Sequence, residues 1–121
     1  MGKKQDIKRA QRESYYYKEI SQLLHQIAAD DNRISGLFIN RIELSSDGGT
    51  CTILFLTQNG KPEFEEKLKS LVLYKASLRT ALAKMAHGRY TPKLFFRYDD
   101  THEKTEKIHT LIDSLKKEGR L

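Results

Sequence analysis

Apolar residues recur along this chain with two different periods, and the places where the period changes mark out its elements. Tyr17, Ile20, Leu24, Ile27 and Ala28 fall on one face of a helix over about residues 7–30, which Asp30-Asp31-Asn32 ends. Tyr15, Tyr16 and Tyr17 are each ~100° from the next around that helix, so at least one ring faces away from the core. Over residues 37–44 the period falls to two. Phe38, Ile42 and Leu44 share a face, with Asn40 in register, and Arg41 and Glu43 take the other. Ser45-Ser46-Asp47-Gly48-Gly49 reads as a turn with two glycines open to positive φ, and residues 50–57 return as a strand, giving a hairpin. Residues 58–61 break the pattern. Pro62, followed by Glu63, Glu65 and Glu66, opens a second helix striped by Phe64, Leu68, Leu71 and Val72. A third helix runs to about residue 87, with Leu78, Ala81, Leu82 and Met85 on one side and Arg79, Thr80, Lys84 and His87 on the other. The period alone leaves open whether these two helices are continuous or kinked near Ala76. Gly88 suits a C-cap. Residues 93–98 form a third strand with Leu94, Phe96 and Tyr98 on one face. Asp100 and Glu103 suit the start of a last helix that buries Ile108, Leu111, Ile112 and Leu115 and ends at Gly119.

The order α-β-β-α-α-β plus a C-terminal helix predicts an α+β two-layer sandwich with a three-stranded mixed sheet. Two helices separate the second and third strands, so the third joins by a crossover rather than a hairpin. At 121 residues, 38% hydrophobic and 31% charged, the chain suits one domain over residues 1–121 with a small core. No apolar run approaches the ~18 residues of a membrane span. The first residues lead into no apolar stretch, so no secretory signal is expected. Cys51 is the only cysteine, which excludes an intramolecular disulfide and a cysteine zinc cage and makes a cytoplasmic location the default.

Charge changes the picture. The chain carries 22 Lys and Arg against 16 Asp and Glu, a net +6. Residues 67–98 hold eight cations and no acid (Lys67, Lys69, Lys75, Arg79, Lys84, Arg89, Lys93 and Arg97), so the rest of the chain is net −2. A smaller excess, Lys3, Lys4, Lys8, Arg9 and Arg12, opens the chain. Such clustering suits a polyanion, RNA being the usual one, though charge alone fits a solubilising surface equally well.

Three segments carry a resemblance. Ile39-Asn40-Arg41-Ile42-Glu43-Leu44-Ser45-Ser46-Asp47 resembles the I-x-R-V-E-x-S-x-D hairpin of the ribosome-binding factor A family. The segment from Arg89 through Pro92, Leu94 and Phe96 to Asp99 and Asp100 is similar to that family's R-x-x-P-x-L-x-F-x-x-D strand. Asp31-Asn32-Arg33-Ile34 resembles its D-P-R-L corner, with asparagine for proline. Tyr74-Lys75-Ala76 stands where family members carry Ala-x-Gly. There is no Gly-x-x-Gly, the usual KH clamp on single strands, which the family also lacks. The resemblance spans about residues 7–115. It implies a type II KH-like fold and a bacterial assembly factor that binds the free 30S subunit and its 16S rRNA. Such a factor assists late maturation, 16S 5′-end processing and cold adaptation, and does no covalent chemistry. It also brings assembly GTPases into view as partners.

With charge and resemblance taken together, the candidate RNA-binding residues are Lys75, Arg79, Thr80, Lys84, His87, Arg89 and Lys93. Lys3, Lys4, Lys8, Arg9 and Arg12 join them, with residues 1–6 read equally well as a basic arm or a frayed helix end. Tyr74, Tyr90 and Tyr98 offer rings for stacking, although alternation places Tyr98 in the core. His102, Glu106, His109 and Asp113 form a helix stripe that could hold a metal, but the polar face of a terminal helix explains it better, and no metal or cofactor is expected. Cys51 reads as a buried, inert thiol; Asp47, Asp99 and Asp100 read as turn and cap residues. A monomer is expected. The alternatives are an unrelated RNA-binding module, a small nuclease, and a protein-interaction domain using the tyrosine run.

Overall fold

The computed structural model describes residues 3–85, 90–101 and 111–112, with side chains from residue 7 onward. Helix α1 (Lys3–Asp30) begins four residues before the position where its apolar stripe predicts it. Its core ring is Tyr16, 6% exposed, and not Tyr17, which is 41% exposed. Tyr16, Ile20 and Leu24 at i, i+4 and i+8 form one stripe and Tyr17, Ile20 and Leu24 at i, i+3 and i+7 form another, so the helical period admits either ring and packing selects Tyr16. The Tyr17 hydroxyl instead donates to the Ile39 carbonyl at 3.1 Å. A 3₁₀ turn (Asn32–Ile34), capped by the Asp31 carboxylate, leads out of α1 and buries Ile34.

Strands β1 (Phe38–Leu44) and β2 (Thr50–Leu56) form the expected antiparallel hairpin. Asp47 builds its turn: Oδ1 accepts the Gly49 N–H at 2.8 Å and the Ser45 hydroxyl at 2.7 Å. Of the two turn glycines only Gly48 takes positive φ, at 72°. The hairpin departs from strict alternation at one point. Ile39 pairs with Phe55 and Arg41 with Leu54, so Asn40 is an extra residue, a β-bulge. The bulge flips the side-chain parity of β1. Ile39, not Phe38, packs on the core, and Phe38 is 63% exposed.

Gly60, with φ 78°, starts helix α2 (Lys61–Leu71), and Pro62 occupies its first turn. Glu63 accepts the Asn59 N–H at 2.9 Å, satisfying a donor at the helix start. A 3₁₀ turn (Val72–Tyr74) then separates α2 from α3 (Lys75–Met85), so the helices are interrupted just before Ala76. That turn lifts Val72 off the α2 stripe and leaves it exposed. Strand β3 (Lys93–Tyr98) lies parallel to β2, and the sheet order is β1-β2-β3.

The core lies between one sheet face and the helices. Ile20, Ile53, Phe55, Leu71, Leu78, Leu82 and Leu94 are almost wholly buried, each worth roughly 1.5–3 kcal/mol of apolar burial. Phe55 stacks on Phe64 and meets Phe96 edge-on. That layer is closed by α1, α2 and α3. Leu111 and Ile112, expected in the core, are exposed; Ile108 and Leu115 lie outside the described residues.

Cys51 sits mid-strand in this core. Burial, with a lesser contribution from Glu13, pushes its thiol up to about 12. Native protein is therefore expected to leave a disulfide dye such as DTNB unreacted over minutes and to react with one equivalent once denatured. Prompt native labelling would contradict the packing around β2.

Candidate nucleic-acid interface

Among the described residues, the two outer edges of the sheet are treated differently. Along β1, α1 supplies side chains to backbone groups that β2 leaves unpaired. Glu13 accepts the Leu44 N–H at 2.7 Å, and Tyr17 reaches the Ile39 carbonyl. Along β3, the neighbouring chain is the α2–α3 junction, and a groove of about 430 Å³ lies between them.

The walls of that groove come from two elements that the sequence makes cationic. Val72, Leu73, Lys75 and Arg79 face Lys93 and Phe95 across it. Strand alternation explains the β3 side: Leu94 and Phe96 point to the core, so Phe95 turns outward. The Lys75 ammonium lies 5.0 Å from the Phe95 ring centroid and 5.7 Å from that of Phe96. Arg79 Nη2 donates to the Thr91 carbonyl at 3.2 Å, which fixes its guanidinium beside the strand entry. A second shallow depression continues the surface, where Arg79 and Thr80 meet Tyr90 and Thr91. Tyr90 is strongly exposed. The surface thus combines cations, two exposed aliphatics and two exposed rings.

Lys75, Arg79, Thr80 and Lys93 are therefore brought together. Lys84 is exposed one helical turn beyond Thr80 on α3. His87 and Arg89 lie outside the described residues, as do the side chains of Lys3 and Lys4. Lys8, Arg9 and Arg12 belong to α1, a separate element, and the Arg12 guanidinium lies against Gly48 in the hairpin turn.

The acid-free segment is not one uniform surface. Lys67 pairs with Glu63 at 3.0 Å and also donates to the Ser35 carbonyl; Lys69 pairs with Glu66 at 3.2 Å. Their partners precede residue 67, so a count of acids confined to the segment misses them. Arg97 falls on the sheet face opposite the core, in register with Leu54.

Two polar knots hold the surrounding frame. Asp99, 3% exposed, accepts Asn40 Nδ2 at 2.7 Å, Arg41 Nε at 2.9 Å and the Thr101 N–H at 3.1 Å. Burial opposes its charge, but the bonds from Arg41, Asn40 and Thr101 win and hold the carboxyl well below the usual carboxylate range. Asp99 thus does more than cap a turn. The β1 bulge aims both Asn40 and Arg41 at it, so this one carboxylate joins the sheet's two outer strands. The second knot is at the corner after α1. Asp31 accepts Arg33 Nη2 at 2.7 Å, Arg33 Nε at 2.9 Å and the Tyr74 hydroxyl at 2.5 Å. Hydrogen bonds from Arg33 and Tyr74 lower its carboxyl far below normal. Tyr74 is consequently half-buried and committed, not a free stacking ring.

Among the described residues, no group of three or more His, Cys, Asp or Glu could hold a metal, and the stripe His102, Glu106, His109 and Asp113 lies outside them. Among the described residues, no helix is long and apolar enough to cross a membrane.

Fold and groove together define a class: a small α+β domain of the type II KH-like order, with a cation-lined groove along one outer sheet edge. A family profile described as "Ribosome-binding factor A" matches residues 8–112. A protein of that name from Syntrophomonas wolfei is 33% identical, the match covering 84% of this chain and 88% of the relative. One from Alcanivorax borkumensis is 36% identical over 85% of this chain and 75% of the relative. The crystal structure of ribosome-binding factor A from Thermus thermophilus superposes with a TM-score of 0.63 at 23% identity, covering 74% of this chain and 93% of that one, which supports the fold. The chain belongs to the ribosome-binding factor A family.

Proposed function

We propose that this protein binds the free 30S subunit through its 16S rRNA and acts by occupancy, without making or breaking a bond. In this reading it assists late subunit maturation and 16S 5′-end processing, and supports growth in the cold. It works as a cytoplasmic monomer of one domain, and assembly GTPases are its further partners. The observation that carries the reading is the groove in which Lys75, Arg79 and Lys93 converge beside Phe95, with no acid in the chain between residues 67 and 98. Lysine and arginine there replace counterions on phosphate, while the exposed apolar side chains give a salt-independent share of the binding. Thr80 and Lys84 extend the same surface; His87 and Arg89 join the proposed RNA contacts by charge and resemblance, and Lys3, Lys4, Lys8, Arg9 and Arg12 supply a second set of phosphate contacts.

Sedimentation tests this directly. Wild-type protein is expected in the free small-subunit fractions of a sucrose gradient and not with complete ribosomes. Arg79→Glu with Lys84→Glu should move it toward the top of the gradient. For wild type, the logarithm of affinity should fall linearly with the logarithm of salt concentration. Unchanged subunit binding by the double variant would remove this surface as the point of attachment.

One observation favours protein docking as a second reading. Tyr17, Leu24, Leu37, Phe38 and Ile39 line an apolar groove of about 520 Å³ at the start of β1. Salt-insensitive binding abolished by Phe38→Ser would support it.

A further inference from the structure

The α2–α3 junction is built without a conformational stop. Leu71 (φ −59°, ψ −39°), Val72 (−57°, −30°) and Lys75 (−58°, −47°) all stay in the right-handed helical region. No residue there needs a glycine, which is why Tyr74-Lys75-Ala76 is tolerated at this point. With no left-handed residue to lock it, this junction depends on side-chain contacts to keep it from straightening into one continuous helix. Burial of Leu71, Leu78 and Leu82 seats the two helices on the core, and a side chain of the turn itself can hold the rim between them.

Tyr74 is the side chain placed to do so. It is the last residue of the 3₁₀ turn, and its hydroxyl crosses to the Asp31 carboxylate, 43 residues away in sequence. That acceptor is itself immobilised. The Arg33 N–H and guanidinium both bond Asp31, and Asp31 caps the turn that follows α1. The residues on either side of Tyr74 belong to the groove. Val72 and Leu73 stand exposed on its rim, and Lys75 lies over Phe95. The phenol's pKa is raised by the same bond, in keeping with a hydroxyl that keeps its proton to donate.

We propose that Tyr74 is a positioning residue for the cationic groove: its hydrogen bond to Asp31 holds the wall formed by Val72, Leu73 and Lys75 at the spacing from β3 that the bound RNA requires. This rests on the reading of the groove as the RNA-binding surface and adds to it a residue that touches no RNA. The hydroxyl, rather than the ring, is the working part.

The experiment compares wild type, Tyr74→Phe, Tyr74→Ala and Arg79→Glu for binding to purified free small subunits across a salt series. Each protein is measured below its unfolding temperature. Tyr74→Phe keeps the ring and its packing and loses only the hydroxyl. It should bind roughly fivefold more weakly, close to the loss for Tyr74→Ala, with the wild-type slope against salt, because no cation is removed. Arg79→Glu should weaken binding and flatten that slope by about one unit. Amide exchange at residues 72–76 should also quicken in Tyr74→Phe while the core strands stay protected. Should Tyr74→Phe bind as wild type does while Arg79→Glu loses affinity, the positioning role is wrong and the groove reading stands. Full affinity in Arg79→Glu would overturn both. If Tyr74→Ala fails to fold, Tyr74→Phe against wild type still decides the matter.

Discussion

Replacing Asp99 by alanine should lower the stability of the protein by about 3 kcal/mol, the scale of losing a buried, charge-assisted hydrogen-bond acceptor. For a chain of this length that corresponds to a fall of roughly 10 °C in the thermal midpoint. Three donors lose their acceptor together: Asn40 Nδ2, Arg41 Nε and the Thr101 N–H. Arg41 retains Glu43 and Thr101 Oγ1, so its charge is not left bare. Asp99→Asn keeps one acceptor oxygen and should cost about half as much. A calorimetric midpoint within about 2 °C of wild type for Asp99→Ala would show that the knot is not holding β1 and β3.

The same carboxylate makes a statement about pH. Asp99 is held below its ordinary value, as are Asp31, Asp47 and Glu63 through their own hydrogen bonds. A group whose folded pKa is depressed binds fewer protons folded than unfolded. Its contribution is complete above about pH 5 and is lost as pH falls through the unfolded value, near 4, toward the folded one. Stability should therefore be nearly flat from about pH 7 to 5 and drop steeply below about 4. Asp99→Ala should show a shallower acid limb than wild type, since one of the linked protons is gone.

Local pattern made much of this fold legible. The β3 boundaries, the hairpin, the Pro62 helix start and the parallel crossover all follow from period, turn chemistry and connection length. What local pattern does not encode is register. Three consecutive tyrosines allow more than one facing of α1, and only packing against β1 selects Tyr16. The bulge at Asn40 is equally silent, because a single inserted residue looks like ordinary alternation until the partner strand is known. Asp99 looks like a turn aspartate for the same reason: its partners lie 58 and 59 residues away.

The site was legible in part. Charge clustering and the opposed faces of α3 single out Lys75, Arg79, Thr80 and Lys93, which the fold does bring together. Charge says nothing of the groove's apolar members, yet Phe95 carries a signal of its own. Alternation puts it on the face opposite Leu94 and Phe96, where a large ring has no core to enter. The role of Tyr74 has no local signal, since Asp31 meets it only after folding.

Reversing the three groove cations together, as Lys75→Glu, Arg79→Glu and Lys93→Glu, should weaken small-subunit binding by about 100-fold or more. That is about 2.7 kcal/mol, or roughly 1 kcal/mol for each reversed charge. Arg79 and Lys93 are exposed, so their reversal costs the fold little; Lys75 forfeits its place over Phe95, on the order of 0.5–1 kcal/mol. The deficit in affinity should shrink as salt rises, because the reversed charges and the phosphates they repel are screened within a Debye length of about 10 Å at 0.1 M. The slope of log affinity against log salt should fall by roughly two to three units, one for each phosphate no longer neutralised. Reversal of Lys67 and Lys69, which are already paired with Glu63 and Glu66, serves as a control with two reversed charges against three, and should alter binding several-fold at most. Were that control to lose as much affinity per reversed charge as the groove triple, net charge rather than the groove would be what the RNA senses, and the geometry around Phe95 would play no part in binding.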